Sequence, residues 1–375
     1  MTGYDDIVVG AGILGLAHAF VLHRAGRRVL VLERAERAEG ASVRNFGMVW
    51  PVGQPPGLRL RIAMRSRDLW LENLTRAGLW HRAVGSLHVA HEEDEACVLR
   101  EFAAMAPDHG YRVQLLSAAD AAARFPRLRA ERVKAAMWSE TEVNVDARRV
   151  IAGLAAHLAA EGVTFRYGAS ALSAAEGKVE TAFASFSAGH VWLCPGDDLS
   201  GPHADHLQSS GLRRVKLQML ATRALPAQEA LGPMFAAGLT LAHYDAFREC
   251  PSIATLKAAL AKRHPFETRH GIHVMISQNS DGELILGDSH HSGEEHDPFA
   301  QEEVDEAILG LLRSYVHLED APVQRRWQGS YAKCSHGPWT VLDPDDHTTL
   351  ITGVGGAGMT LSFGLAERVV QDRIR

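Results

Sequence analysis

Cysteine is scarce in this 375-residue chain: four are present, Cys97, Cys194, Cys250 and Cys334, and no two are spaced as C-x-x-C. Their spacing argues against a zinc knuckle and reads as four reduced thiols of a cytoplasmic protein. Positive charge is not in excess. The 39 Lys and Arg stand against 45 Asp and Glu, a net charge of −6, so no basic face points to nucleic acid. No apolar run approaches the roughly 20 residues needed to span a bilayer. The stretch 8–22 is mostly apolar, but it holds a regular glycine pattern, and Asp5 and Asp6 stand where a signal peptide would be basic. No HExxH, internal repeat or low-complexity tract occurs. What remains is a globular composition, 46% hydrophobic and 22% charged, in a chain long enough for two domains.

The glycine pattern is Gly10-Ala11-Gly12-Ile13-Leu14-Gly15, entered by the apolar run Ile7-Val8-Val9. A small-residue helix is expected from Leu16 to about Ala25, stopped by Gly26. A second apolar run, Val29-Leu30-Val31-Leu32, ends in Glu33. This is the layout of a dinucleotide-binding βαβ unit. Gly10 suits the tight turn, and Gly12 lets the backbone approach a pyrophosphate at the helix N-terminus. Gly15 lets helix and strand pack closely. Glu33, 18 positions after Gly15, is placed to accept hydrogen bonds from a ribose.

Beyond it, 40–49 reads as a loop wrapping around something, and Leu58 to Ala77 as an amphipathic helix. Strands are expected at Ser86–Ala90, Ala135–Trp138, 163–167 and His190–Cys194, and helices at 92–105 and 117–125. Asp146 is placed to cap a helix over 147–161. The region 211–325 changes character, with strands at 215–222, 272–278 and 283–287, helices at 252–261 and 302–315, and a polar loop at 288–297. The C-terminal segment makes a second strand–glycine–helix unit: Thr349-Leu350-Ile351-Thr352, then Gly353-Val354-Gly355-Gly356-Ala357-Gly358-Met359, then a helix from Thr360 to Arg373. A nicotinamide enzyme does not need such a unit. A flavin does, because its ring lies far from the pyrophosphate and needs its own backbone surface.

These segments together resemble the FAD-dependent D-amino-acid oxidase superfamily, especially its glycine oxidase and sarcosine oxidase branch. The resemblance implies an α/β FAD-binding Rossmann-like domain of the glutathione-reductase type, with an inserted, strand-rich antiparallel α+β substrate domain. The expected division is 1–80, 140–212 and 326–375 for the FAD domain, and 81–139 and 213–325 for the substrate domain. It implies noncovalent FAD held by Gly10, Gly12, Ile13, Gly15, Glu33 and Arg34 at the ADP half. Ser42, Arg44, Asn45, Phe46, Gly47 and Met48 would pass the pyrophosphate and ring. Cys194 and Gly196 would lie alongside, and Gly355, Gly356, Gly358, Met359 and Thr360 would approach the pyrimidine end.

Two departures bear on chemistry. Tyr331 stands where glycine oxidases carry the arginine for a substrate carboxylate. Ile285 takes the place of the flavin-facing lysine of sarcosine oxidases. Gly329 sits where sarcosine oxidases attach flavin through cysteine. The loop Arg44-Asn45-Phe46-Gly47 and the run Gly287-Asp288-Ser289-His290 also resemble a narrower bacterial branch associated with aminophosphonate breakdown.

Amine oxidation on flavin needs little acid–base machinery, so the missing triad is no obstacle. The protein supplies position, water exclusion and a charge anchor. The expected reaction is oxidation of the C–N bond of a small anionic amine, best 2-aminoethylphosphonate or an N-alkyl derivative. Hydride passes to flavin N5, and the imine hydrolyses to aldehyde plus amine. Candidate residues are Tyr331, Lys333, His243, Tyr244, Arg44 and His336. Each has a plain structural alternative: Arg44 as a salt bridge, Tyr331 as a rim aromatic, Lys333 as solvated surface, and the histidines as packed or surface rings. Trp327 reads as core, and Lys216 and Gln218 start a strand that, by the resemblance, often reaches the flavin. His290-His291 reads as pocket wall or surface, and no metal is expected. Alternatives are a glycine, sarcosine or D-amino-acid oxidase, a 2-hydroxy-acid dehydrogenase using His243 or His336 as base, and a flavin-binding assembly subunit without activity. The partners implied are the substrate and oxygen or another electron acceptor, in a monomer or homodimer.

Overall fold

The computed structural model describes residues 3–226, 229–293 and 297–374. Its first sheet is built on five parallel strands in the order Thr348–Thr352, Ser185–Leu193, Tyr4–Val9, Val29–Leu32 and Thr164–Arg166. The run Ile7–Val9 is apolar without alternation because both faces are covered. Val8, Val31 and Trp192 enter the core under the helices. Ile7, Leu30, Leu32 and Val191 enter the opposite core. On one face, helix Ile13–Arg24 packs against helix Gly358–Arg373, which packs in turn on helix Leu58–Arg76. Ala171–Ala175 and Lys178–Thr181 form an antiparallel meander with the first half of Ser185–Leu193.

The second sheet has nine strands. Its long axis is the antiparallel pair Leu212–Ala224 and Val323–Cys334, in register from Leu212 opposite Cys334 to Thr222 opposite Val323. Glu283–Gly287, Met275–Gln278, Met234–Ala237, Ser86–Ala90, Ala135–Ser139 and Val113–Leu116 extend it on one side. Helices Glu93–His109 and Glu302–Tyr315 contribute to its core, which includes Phe102, Phe235, Phe247 and Leu312. Both expected architectures are therefore present: a parallel dinucleotide-type sheet and a strand-rich antiparallel partner.

Several boundaries move, each for a local reason. Helix Ile13–Arg24 starts at Ile13 rather than Leu16, with Gly12 extended as its N-cap. The helix after the C-terminal glycines starts at Gly358, following a short 3-10 turn over Gly355–Ala357. Helix Glu93–His109 runs past Met105 and through Pro107 to a left-handed Gly110. His291–Gly293 is a short strand inside the expected polar loop; residues 294–296 of that stretch lie outside the described residues. Strand Val323–Cys334 straddles the expected domain division at 326. Its run Val-Gln-Arg-Arg-Trp-Gln-Gly has no clean two-residue alternation, so pairing with Leu212–Ala224, not apolar periodicity, defines it.

Candidate functional site

The segments picked out as cofactor-binding converge on one cavity of about 290 Å³, lined by Gly12–Gly15, Ser42, Arg44–Phe46, Cys194, Gly196 and Gly353–Met359. No room exists for a side chain at Gly15, where a Cβ would lie 1.8 Å from the Gly10 carbonyl oxygen. The helix that starts here has no capping side chain of its own at Gly12. Ile13 N donates to Ser42 Oγ at 2.9 Å, which ties the 40–47 loop to the helix start. Asn45 fixes that loop: its Nδ2 donates to the carbonyls of Ala41 (2.9 Å) and Ser42 (3.0 Å), and its Oδ1 accepts from Gly47 N at 2.7 Å. An uncapped helix start, a glycine turn and a braced loop form a cradle that fits a pyrophosphate.

Glu33 is nearly buried, and its carboxylate accepts from Ala11 N at 2.8 Å and Ala35 N at 3.0 Å. It therefore holds the glycine turn, and its remaining lone pairs stay available to a ribose. Arg34 pairs with Asp198 at 2.5 Å and is largely exposed. Arg44 is exposed and reaches the Gln328 carbonyl at 3.3 Å. Met48 lies in the short strand Met48–Val49. Trp50 N donates to Thr360 Oγ1 at 2.9 Å, and Trp70 Nε1 donates to the Met359 carbonyl at 2.7 Å. These two bonds pin the C-terminal glycine turn to the rest of the cradle. The Cys194 thiol is buried and held protonated by desolvation.

At the other end, the cavity wall contains Arg59, His243, Tyr244, His273, Asp288, His290, Tyr331 and Lys333. Strand Val323–Cys334 delivers Tyr331 and Lys333, and Glu283–Gly287 leads into Asp288. His243 ends the short helix Leu239–His243 and is exposed to the open cavity. Its ring centroid lies 3.8 Å from that of His273 and 4.7 Å from that of His290. The carboxylate of Asp288 lies 3.6 Å from His273 Nε2 and 3.5 Å from His290 Nε2. Desolvation, with like-charge repulsion from neighbouring rings, lowers His243 and His273 well below the usual imidazole range. Desolvation takes His290 to about 4, with Lys333 adding to the fall. Burial raises Asp288 well above an ordinary carboxylate and raises the phenols of Tyr244 and Tyr331. Both tyrosines are therefore neutral hydrogen-bond donors. Arg59 is engaged by Asp245 at 2.7 Å and by Gln54 at 3.1 Å.

Other candidates sit elsewhere. His336 is exposed, lies over Gly211 and is not among the residues lining the cavity. Lys216 donates to the carbonyls of Asp297 and Phe299, and Gln218 Nε2 to Asp305 Oδ1 at 2.6 Å. Both brace the segment before helix Glu302–Tyr315. Trp327 packs with Phe46, Leu217, Met219 and Ile285, and its Nε1 donates to the Arg44 carbonyl at 3.2 Å. Ile285 faces a second, wider cleft of about 1430 Å³ between the 43–46 loop, helix Ala147–Ala160 and residues 324–328. Sequence reasoning missed His273 as a site residue. It sits in a run read only as a strand, where a single histidine carries no spacing signal. Asp288 enters the sequence reading only through the polar loop 288–297 and a four-residue resemblance, and neither marks it as buried.

A family model described as FAD dependent oxidoreductase (DAO) matches residues 5–371. The chain belongs to that family. It is an FAD-dependent oxidoreductase, and the glycine cradle fits the cofactor the family name states. It is 29% identical over 167 residues to the glycine oxidase of Geobacillus kaustophilus, a match covering 42% of this chain and 44% of that one. It is 31% identical over 97 residues to the mitochondrial L-2-hydroxyglutarate dehydrogenase of Arabidopsis thaliana, covering 24% of this chain and 20% of that protein. These matches span less than half the length of either relative. The crystal structure of the Geobacillus kaustophilus glycine oxidase superposes with a TM-score of 0.77 at 21% identity, covering 99% of this chain and 94% of that one. That likeness shows the shared fold. No helix among the described residues is long and apolar enough to cross a membrane.

Proposed function

We propose that this oxidoreductase oxidises the C–N bond of a small anionic amine, best 2-aminoethylphosphonate or an N-alkyl derivative, using noncovalently held FAD. The observation that carries the reading is the cavity wall around Tyr331. A half-buried, neutral phenol stands where the resemblance expects a carboxylate-binding arginine, and the exposed Lys333 stands two residues on along the same strand. Lysine suits a phosphonate as a compact point charge, whereas a bidentate guanidinium suits a planar carboxylate.

When bound, FAD supplies the two-electron acceptor for the hydrogen on the carbon beside nitrogen. The chain does the rest by position. The glycine cradle of 10–15 and 353–359 fixes the cofactor's ends. Tyr331, Lys333 and Tyr244 hold the anionic head, and Arg44 closes the loop side. His243 faces the open cavity as a neutral ring whose lone pair can take a hydrogen bond, or transiently a proton, from the substrate; desolvation and the neighbouring positive groups, which hold it well below the usual imidazole range, make it a weak base. Water then cleaves the C=N bond to an aldehyde and a free amine, and oxygen or another acceptor takes the electrons. The four cysteines are free thiols, which supports a cytoplasmic setting.

A second reading is oxidation of a 2-hydroxy acid, favoured by His243: removal of hydride from a C–OH carbon needs such a base. Anaerobic mixing with glycine, sarcosine, D-alanine, 2-aminoethylphosphonate, its N-methyl form and 2-hydroxyglutarate separates the two. Flavin bleaching by the phosphonates alone is expected. Bleaching by glycine or D-alanine, with none from the phosphonates, sinks the anionic-head assignment; bleaching by 2-hydroxyglutarate alone selects the second reading.

A further inference from the structure

We propose that His243, His273 and His290 form a binding site for one divalent transition-metal ion, with Asp288 at its edge. The three come from separate elements: the end of helix Leu239–His243, the approach to strand Met275–Gln278, and the turn after strand Glu283–Gly287. One ligand nitrogen of each lies within 4.8 Å of the other two.

The hydrogen bonding around the rings points to a cation. His290 Nδ1 lies 3.0 Å from the Gly271 carbonyl, which only accepts, so this nitrogen carries the hydrogen. Its Nε2 is left with a lone pair. A backbone carbonyl on the far nitrogen is the usual support of a metal-bound histidine. His273 is 3% exposed and Asp288 5%; among the described residues neither His273 ring nitrogen nor Asp288 Oδ1 has a hydrogen-bond partner, and the 3.6 Å between His273 Nε2 and Asp288 Oδ1 is too long for one. Folded proteins leave few such groups unpaired. One ion satisfies several lone pairs at once, which a single hydrogen-bond donor does not.

The donor set narrows the ion. Three imidazoles and one carboxylate, without thiolates, suit Zn²⁺, Co²⁺, Ni²⁺ or Fe²⁺ rather than Mg²⁺ or Ca²⁺. Metal–nitrogen bonds of about 2.1 Å place ligand nitrogens roughly 3.4 Å apart in a tetrahedral site. Ligand nitrogens up to 4.8 Å apart must close to that spacing as the rings rotate towards one point. His243 opens on the cavity, so an ion has a way in. The charged or titratable groups facing the trio are Asp288, Lys333, Lys257 and His291, and a carboxylate at Asp288 offsets only part of the positive charge that the two lysines set against a cation. An ion here also adds a second positive centre beside Lys333 for an anionic head, a role that rests on the anionic-amine reading; it takes the His243 lone pair, so His243 is a ligand in the metal-bound form and an acceptor for substrate only in the metal-free form.

The test is titration of chelator-treated holoenzyme with Co²⁺ and Zn²⁺, followed by calorimetry and by the visible absorption of bound Co²⁺. One ion per chain is expected, bound at least 100-fold more weakly in His273→Ala and His290→Ala. His243→Ala, at a ring exposed to the cavity, serves where the buried variants fold poorly, and flavin absorbance reports their integrity. The exposed His336→Ala is expected to bind as wild type. Binding far below one ion per chain, or equal binding in wild type and the His243 variant, overturns the site. That result leaves amine oxidation to be judged by flavin bleaching alone.

Discussion

The tightest point of the cofactor cradle is Gly15, and Gly15→Ala is the sharpest probe of it. The added Cβ would sit 1.8 Å from Gly10 O, 2.9 Å from Gly10 C and 3.3 Å from Val8 Cγ1. An ordinary contact begins near 3.4 Å, so the shortfall at the oxygen is about 1.6 Å (3.4 − 1.8). Neither neighbour can yield. Gly10 N is hydrogen-bonded to the Leu32 carbonyl at 2.7 Å, and Val8 is wholly buried in the sheet. The start of helix Ile13–Arg24 must move instead. Overpacking of this kind costs about 1–3 kcal/mol, and a displacement near 1 Å withdraws the helix-start N–H groups from the phosphates. Losing one or two charge-assisted hydrogen bonds of about 1.5–3 kcal/mol each weakens FAD by a factor on the order of 10 to 10⁴. Fluorescence titration of apoprotein with FAD, with urea unfolding alongside, measures both quantities. Gly310→Ala is the control: it lies exposed in helix Glu302–Tyr315 with nothing within 4 Å of a Cβ, and gains about 0.5–1 kcal/mol. If Gly15→Ala bound FAD within threefold of wild type at unchanged stability, the cradle argument would be wrong.

Tyr331→Phe removes one half-buried donor from the cavity wall and is expected to raise KM for the anionic substrate about tenfold, with the flavin spectrum unchanged; stopped-flow reduction reads it, and an unaltered KM removes Tyr331 from the anchor. Asp146→Ala is expected to cost about 1–2 kcal/mol, because its carboxylate caps helix Ala147–Ala160 through Arg148 N at 3.1 Å and accepts from Ser280 Oγ at 2.6 Å; urea midpoints that match wild type refute it. Acid destabilises the fold through His18 and His88, which desolvation lowers to about 4 and about 3 from 6.5. A histidine with a depressed folded pKa takes up its proton on unfolding, so its contribution is present above pH 6.5 and is lost as pH falls towards 4. Each gives a slope of up to about 1.4 kcal/mol per pH unit, and His88→Leu should flatten the loss measured by denaturation at pH 7, 6 and 5.

The cofactor half was legible because its chemistry forces a local pattern. Phosphate binding needs a glycine turn directly between a strand and a helix, so Gly10, Gly12, Gly15 and Glu33 announce themselves within one short segment. Asp146 was legible for the same reason, since a cap and its helix are neighbours in sequence. The substrate end has no such compulsion. His243, His273 and His290 meet only because two turns and a helix end are folded over one another, and no spacing records that meeting. Strand Val323–Cys334 was missed because its partner, not its own alternation, makes it a strand. The polar reading of 288–297 concealed Asp288, whose burial depends on a sheet built from distant segments.

The two bonds from Trp50 and Trp70 to the turn at Met359 and Thr360 also have a consequence for biosynthesis. The ribosome delivers the fingerprint first and this closing turn more than 300 residues later. At about 5–20 residues per second, the nascent chain carries an open cradle for tens of seconds, with the inner face of helix Leu58–Arg76 lacking its C-terminal partner. Flavin capture by the closed cradle is therefore expected to wait until helix Gly358–Arg373 has emerged. A cell short of flavin would accumulate chains whose helix Gly358–Arg373 has a complete packing surface but whose glycine turns enclose no cofactor.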